Sequence, residues 1–249
     1  MRNEEELTLE IKKNICLDAG HSAGNQANKS PDGTCFEHEF TLDMAKRIKT
    51  HLQRHGVEVT ETRPDGGDVS LGQRCRISND ARSDLFVSLH SNAAGSLSTG
   101  PDGWSSARGW ECYVYGLSGA RYAAARSILS QVAGVAPVIR STPILVRPGL
   151  YVLSHTNAPA VLIEHGFHTN REDVRLLKDP AYREALASAE ARGILDFLGI
   201  SWQPVSDLDA AVDKLAEAGI IDSPGRWKEL DFTANSVRML ILKMAAALK

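Results

Sequence analysis

The stretch Asp84-Leu85-Phe86-Val87-Ser88-Leu89-His90 is an almost unbroken apolar run that ends on an imidazole. Such a short run between polar flanks reads as a strand buried in a sheet. Two other runs end in the same way: Ile15-Cys16-Leu17-Asp18 leads to Ala19-Gly20-His21, and Ala160-Val161-Leu162-Ile163 leads to Glu164. Segments 57–60 and 111–115 also read as strands. Between the first two strands, Phe40, Met44, Ile48 and Leu52 recur at helical spacing ahead of Gly56, and 120–132 and 182–198 read as further helices. Strands alternating with amphipathic helices predict an α/β domain, a twisted, mainly parallel sheet flanked by helices on both faces.

In an open parallel sheet, ligands bind just beyond the carboxyl ends of the strands. Three strand ends carrying His21, His90 and Glu164 therefore converge on one cleft. Glu37 lies just before the helix that carries Phe40 and Met44, where a carboxylate is favoured by the helix dipole. Two histidines and a carboxylate with an open fourth position form a ligand set of catalytic zinc. A further carboxylate that does not bind the metal can shuttle the proton that hydrolysis requires, and Glu164 is the candidate. A single His or Glu at a strand end is more often a capping residue than a ligand. Their joint placement is what points to chemistry.

The remaining composition narrows the function classes. The chain has 249 residues, and its 28 Lys and Arg against 31 Asp and Glu, without a basic stripe, argue against broad attraction to nucleic acid. No apolar run reaches the roughly 18 residues that suggest a membrane span. The polar, acidic start Met1-Arg2-Asn3-Glu4-Glu5-Glu6 does not read as a secretory signal. The expectation is synthesis in the cytoplasm and action elsewhere after lysis or non-classical release. Cys16, Cys35, Cys75 and Cys112 are far apart in sequence and read as reduced core thiols.

Three segments are predicted: an extension over 1–13, a catalytic domain over 14–200, and a small helical domain over 201–249. Residues 93–108, rich in Gly and Ser, read as a long loop. Ser201-Trp202-Gln203-Pro204 reads as a linker. Beyond it, Leu208, Val212 and Leu215 form one apolar stripe closed by Gly219, Ser223-Pro224 can cap and start a turn, and Val237, Leu240, Ile241, Met244 and Leu248 form another stripe. A tail of about 45 residues seldom folds alone, so it is expected to pack on the main domain, to dimerise or to bind something else.

At its motifs the chain resembles the zinc-dependent N-acetylmuramoyl-L-alanine amidases of bacterial peptidoglycan. The resemblance runs from about Asn14 to Gly199. It rests on Leu17-Asp18-Ala19-Gly20-His21, Glu37-His38-Glu39-Phe40, Thr62-Arg63, Ser70-Leu71 with Arg74 and Asn79, Asp84 to Ala93, Leu150-Tyr151-Val152-Leu153, and Pro159 to Phe167. It implies one Zn2+ held by His21, Glu37 and His90. It also implies hydrolysis of the bond between N-acetylmuramic acid and L-alanine by metal-activated water, with Glu164 as general base and acid. The chain departs from the family at Ala19, where proline is usual, and at His165 and His168. Asn92, His155 and His165 are candidate substrate contacts, His155 because it can lie at another strand end.

Arg63, Arg74 and Asn79 read as residues that pin loops to the sheet. Trp104 and Trp110 read as aromatic cover for the core, and His51 with His55 as a solvated helix end rather than a second metal site. Two rival functions are a non-catalytic wall-binding protein of the same fold and a zinc peptidase or deacetylase acting on the wall. The complete set of four groups disfavours the first, and the ordered motifs disfavour the second.

Overall fold

The computed structural model describes residues 12–24, 27–204, 207–228 and 234–247. Helix α1 (Glu37–Arg54) follows from its sequence: Phe40, Met44, Ile48 and Leu52 fall on one side and are all buried. Each contributes roughly 1.5–3 kcal/mol by leaving water, an upper bound because an unfolded chain already hides some surface. Glu37 and Glu39 lie in its first turn and His51 and Arg54 in its last, as the helix dipole favours. Gly56, at a φ of +75°, lets the chain turn back into the sheet.

Among the described residues, six strands form one sheet: β1 (Asn14–Ala19), β2 (Glu58–Glu61), β3 (Leu85–Asn92), β4 (Trp110–Val114), β5 (Ile139–Val146) and β6 (Ala160–Phe167). Their order is β2-β1-β3-β6-β4-β5. The first four in that order are parallel, while β4 runs antiparallel to β6 and β5 runs parallel to β4. β5 was not foreseen, because its mostly half-buried side chains and internal Pro143 weaken the strand signal.

Helices cover both faces. The larger core joins the sheet to α1, α3 (Gly119–Val132) and α6 (Pro180–Leu198). On the other face, Cys75 of α2 (Leu71–Asp80) and Val152 and Leu153 of α4 (Tyr151–His155) cover Cys16, Phe86, Ala160 and Leu162. That second layer is short and leaves the carboxyl edge of the sheet open. All four cysteines are buried and unpaired. Residues 93–108 form the expected loop, interrupted only by a single 3-10 turn at Ser96–Ser98.

Local signals start and stop these helices. Ser70 and Gln73 form a reciprocal capping box on α2. Asn170 caps α5 (Arg171–Lys178). Asp179 and Pro180 start α6, and Gly199, at a φ of +74°, ends it.

The chain divides into two compact units, Met1–Trp202 and Gln203–Lys249. Trp202 is not a free linker residue: its ring stacks on His55 at 4.7 Å, with Arg54 and Arg192 at 5.0 and 4.6 Å from its centre. His51 reaches Glu184 at 2.8 Å, with its side chain only 12% exposed. The pair therefore packs under Trp202 rather than forming a solvated helix end.

The second unit contains α7 (Asp207–Glu217), α8 (Pro224–Lys228) and α9 (Ala234–Ala247). Val212 and Ile221 are buried, and Gly219 turns the chain with a φ of +67°. Leu248 and residues 1–11 lie outside the described residues.

Helices α3 and α6 meet where α6 has no side chain. A Cβ on Gly193 would lie 2.4 Å from Cα of Ile128. Gly193→Ala is expected to lower unfolding free energy by about 1–3 kcal/mol, read from urea denaturation as a lower midpoint at unchanged m-value.

Candidate metal and catalytic site

The loop leaving β1 carries His21, whose φ of +57° is uncommon for a residue with a side chain. Two buried arginines hold it there. Arg74 donates to the carbonyls of His21 (2.8 Å) and Ala19 (2.6 Å) and to Asp18 Oδ1 (2.5 Å). Arg63 donates to the carbonyls of Ala19 (2.7 Å), Gly20 (3.1 Å) and His38 (2.6 Å). Asp18 also accepts from the hydroxyls of Thr62 (2.6 Å) and Ser88 (2.7 Å). Asn79 ties down the segment after α4, donating to the His155 carbonyl (3.3 Å) and accepting from the Asn157 N–H (2.8 Å). The arginines and Asn79 are thus the loop pins foreseen from the sequence.

Gly20 makes the close approach possible, since a Cβ there would sit 2.4 Å from His90 Cε1 and 2.6 Å from the Leu89 carbonyl. The rings of His21 and His90 meet edge to face, with centroids 4.9 Å apart. Glu37 reaches both from the first turn of α1. Its Oε2 lies 3.3 Å from His21 Nε2, and its Oε1 lies 3.0 Å from His90 Nδ1 and accepts the Ser91 N–H at 2.9 Å. Burial alone would raise the Glu37 pKa, but hydrogen bonds from the two histidines outweigh it and hold the carboxyl well below its usual range.

One ligand atom each from His21, Glu37 and His90 lies within 4.8 Å of the others, and this is the metal-type cluster among the described residues. A tetrahedral ion with bonds of about 2.0–2.2 Å separates its ligand atoms by roughly 3.3–3.6 Å. Two imidazoles and an ionised carboxylate, with the Glu37 oxygens 3.3 and 3.0 Å from the two ring nitrogens, suit such an ion.

Glu164 stands beside the cluster because of strand register. His90 of β3 pairs with Glu164 of β6, which pairs in turn with Glu111 of β4. The three side chains therefore share one face. Glu164 is 9% exposed, and its Oε2 is buried without a hydrogen-bond partner. Burial, with the carboxylates of Glu37 and Glu111 nearby, pushes its pKa well above the usual glutamate range. A cavity of about 340 Å³ opens beside His21 and His90, walled by Leu71, Leu150, Tyr151 and Leu162.

The candidate substrate contacts fare differently. The Asn92 amide donates to Glu111 Oε1 at 2.7 Å and to the Tyr113 hydroxyl at 3.0 Å. His155 does not lie at a strand end: it is the last residue of α4, stacked on Tyr151 at 3.8 Å. Its neighbour Tyr151, rather than His155, lines the cavity. His165 is corrected outright, because it points away from the cleft and its side chain is 0% exposed, paired with Glu190. Alternation along β6 sends residue 165 to the face opposite Glu164. Trp110 is buried in the core and Trp104 packs against it, as expected of both.

Sequence reasoning missed Glu111, which also accepts from Tyr113 (2.7 Å) and Arg140 (3.3 Å). The signal was available: Glu111 and Tyr113 alternate with the buried Trp110, Cys112 and Val114, marking a strand with one polar face. His168, buried with Nδ1 3.0 Å from the Ser91 hydroxyl and 4.0 Å from Glu37, was noted only as a departure. Asn28, whose Nδ2 lies 2.9 and 2.8 Å from the two His21 ring nitrogens, carried no signal.

An α/β sheet whose carboxyl edge gathers these groups defines a hydrolase, and comparison with known proteins specifies which. The chain belongs to the N-acetylmuramoyl-L-alanine amidase family, which it matches over residues 15–196. It is 28% identical over 204 residues to the germination-specific N-acetylmuramoyl-L-alanine amidase of Bacillus subtilis (strain 168), covering 74% of this chain and 79% of that one. It is 31% identical over 195 residues to the endolysin of Bacillus phage SPP1, covering 76% and 68%. The CwlD amidase from Clostridioides difficile, solved in complex with the GerS lipoprotein, superposes with a TM-score of 0.68 at 25% identity, covering 76% of this chain and 99% of that one.

A carboxyl whose pKa is raised on folding costs stability at neutral pH. The native state holds its proton where the unfolded state has lost it, so stability falls as pH rises from the ordinary glutamate range towards the native value. In chelated protein, Glu164→Gln is therefore expected to raise the melting temperature at about pH 8 and to leave it nearly unchanged at about pH 4. Calorimetry at both values checks this, and an equal shift at both would contradict the assigned cause.

Proposed function

We propose that this amidase holds one zinc ion on His21, Glu37 and His90 and uses Glu164 to move the proton as it cuts the amide between N-acetylmuramic acid and L-alanine. The observation that carries the reading is the buried, unpartnered Oε2 of Glu164, held by strand register beside His90. Bound zinc would supply Lewis acidity and lower the pKa of a water to about 7.

The chain's own groups do the rest. Glu164 takes the proton of the attacking water and returns it to the nitrogen of the departing L-alanine. Burial and the neighbouring carboxylates push its pKa above the usual glutamate range, which makes it a stronger base than an exposed glutamate. Glu37, held at low pKa, stays ionised throughout. Asn92, Tyr113 and Arg140 engage Glu111 and so hold a second carboxylate near Glu164. Leu71, Leu150 and Leu162 give the cleft one apolar wall.

Purified peptidoglycan gives the test. Wild type is expected to release L-alanine amino termini, to lose activity on chelation and to regain it with zinc. Glu164→Ala is expected to keep zinc and to slow by about 10²-fold or more. Zinc binding and sedimentation with the wall without new L-alanine termini would favour a binding protein, and a different amino terminus would mean a peptidase.

The same proposal assigns unit Gln203–Lys249 to wall targeting or self-association. Met239, Leu242 and Met244 are exposed on α9, which supports such a role. Action after lysis or non-classical release belongs to this proposal too. Truncation after Trp202, which spares the stacking on His55, is expected to weaken sedimentation with intact wall or to change the oligomeric state seen by light scattering. Unchanged wall binding and oligomeric state would rule out both roles.

A further inference from the structure

Behind the catalytic face, the core of the sheet contains an ionisable pair. His165 and Glu190 have side chains that are both 0% exposed, and they meet at 3.1 Å. Neither belongs to the metal cluster or the cleft. Burying two ions is costly, and replacing such a pair by apolar residues is often neutral or stabilising. Packing alone does not explain it here.

The hydrogen bonds suggest what it does. His165 Nδ1 lies 2.7 Å from the carbonyl oxygen of His90, and its Nε2 lies 3.1 Å from Glu190. The carbonyl only accepts, so Nδ1 carries a proton, while Nε2 shares one with Glu190. Glu190 comes from α6 and also accepts from Trp110 Nε1 of β4 at 3.3 Å. Phe40 of α1 packs edge-on against the imidazole, with centroids 5.2 Å apart. One ring therefore links the helix layer to the backbone of a zinc-ligand residue.

Its place in the sheet is equally specific. The β3–β6 register runs His90 to Glu164 and resumes at Asn92 to Phe167, so His165 and Gly166 together oppose Ser91. This is a β-bulge, with Gly166 at a φ of +144°. Bulges bend a strand and re-aim the side chains beside them. Here those side chains are Glu164, on the bulged strand, and His90, opposite it.

We propose that His165, clamped by Glu190, is a positioning residue that fixes the β6 bulge and so sets Glu164 and His90 at their working separation. It touches neither substrate nor metal. The inference rests on the roles proposed above for Glu164 and His90, and its test is built to fail separately from them.

The test uses the full chain with His165→Leu and Glu190→Leu combined, so that no single charge is left buried. The double variant is expected to melt at or above the wild-type temperature. Its kcat is expected to fall about tenfold at nearly unchanged KM, and its zinc affinity, measured by chelator competition, about tenfold, the scale seen when groups that orient metal ligands are removed. Glu190→Gln keeps an acceptor for His165 and is expected to retain kcat within about threefold; it stands as the folded comparison if the double variant proves unstable. A stable double variant with wild-type kcat and zinc affinity would overturn the proposal. So would an equally large kcat loss in Glu190→Gln, which would implicate net charge rather than position. Wild type that binds no zinc would instead overturn the reading of the site itself.

Discussion

The pairing of β3 with β6 is the constraint on which the site depends. Successive residues of a strand face opposite ways, so a slip of one position would turn Glu164 into the core and bring His165 to the cleft. The apolar residues prevent this. Val87, Leu89, Val161 and Ile163 all belong to the larger core, and a slip would pull residues of one strand out of it, onto the face packed by α2 and α4. The energy of a hydrophobic face thus fixes the placement of a carboxyl that is itself unfavourable where it stands.

That carboxyl belongs to a wider conflict of charge. Glu37, Glu111 and Glu164 are all largely buried near one strand edge. Two of the three are compensated by donors: Glu37 by His21, His90 and the Ser91 amide, Glu111 by Asn92, Tyr113 and Arg140. Glu164 Oε2 has none. A group left without partners inside a well-satisfied network is held in place by its surroundings, and this is how functional sites retain local strain. A cation beside Glu37 would ease the conflict, so the charges that weaken the metal-free protein are the ones that favour a metal.

Two layers of support keep His21 and Glu37 in place. Arg63 and Arg74 bind the carbonyls of the β1 loop, fixing His21 in its left-handed conformation. Helix α1 is fixed by Phe40, Met44, Ile48 and Leu52, which places Glu37 over the sheet edge. These residues make no contact with a reacting atom, yet loss of any would move one.

Much of this was legible in the sequence. Apolar runs ending in His21, His90 and Glu164 mark buried strands with polar ends, because burial on both faces demands continuous apolar character. The spacing of Phe40 to Leu52 marks a helix for a similarly local reason, and Glu37 follows from where that helix begins. What depends on register and facing could not be read in this way. The antiparallel turn of β4 that brings Glu111 beside Glu164, the bulge that opposes His165 and Gly166 to Ser91, and the burial of His165 against Glu190 join residues far apart in the chain. Which residues have the chemistry and which strand ends carry them can be read from the chain alone, since both follow from local periodicity. Only the tertiary structure decided which face each side chain takes and which groups meet, because those are set by the packing of the whole sheet against its helices.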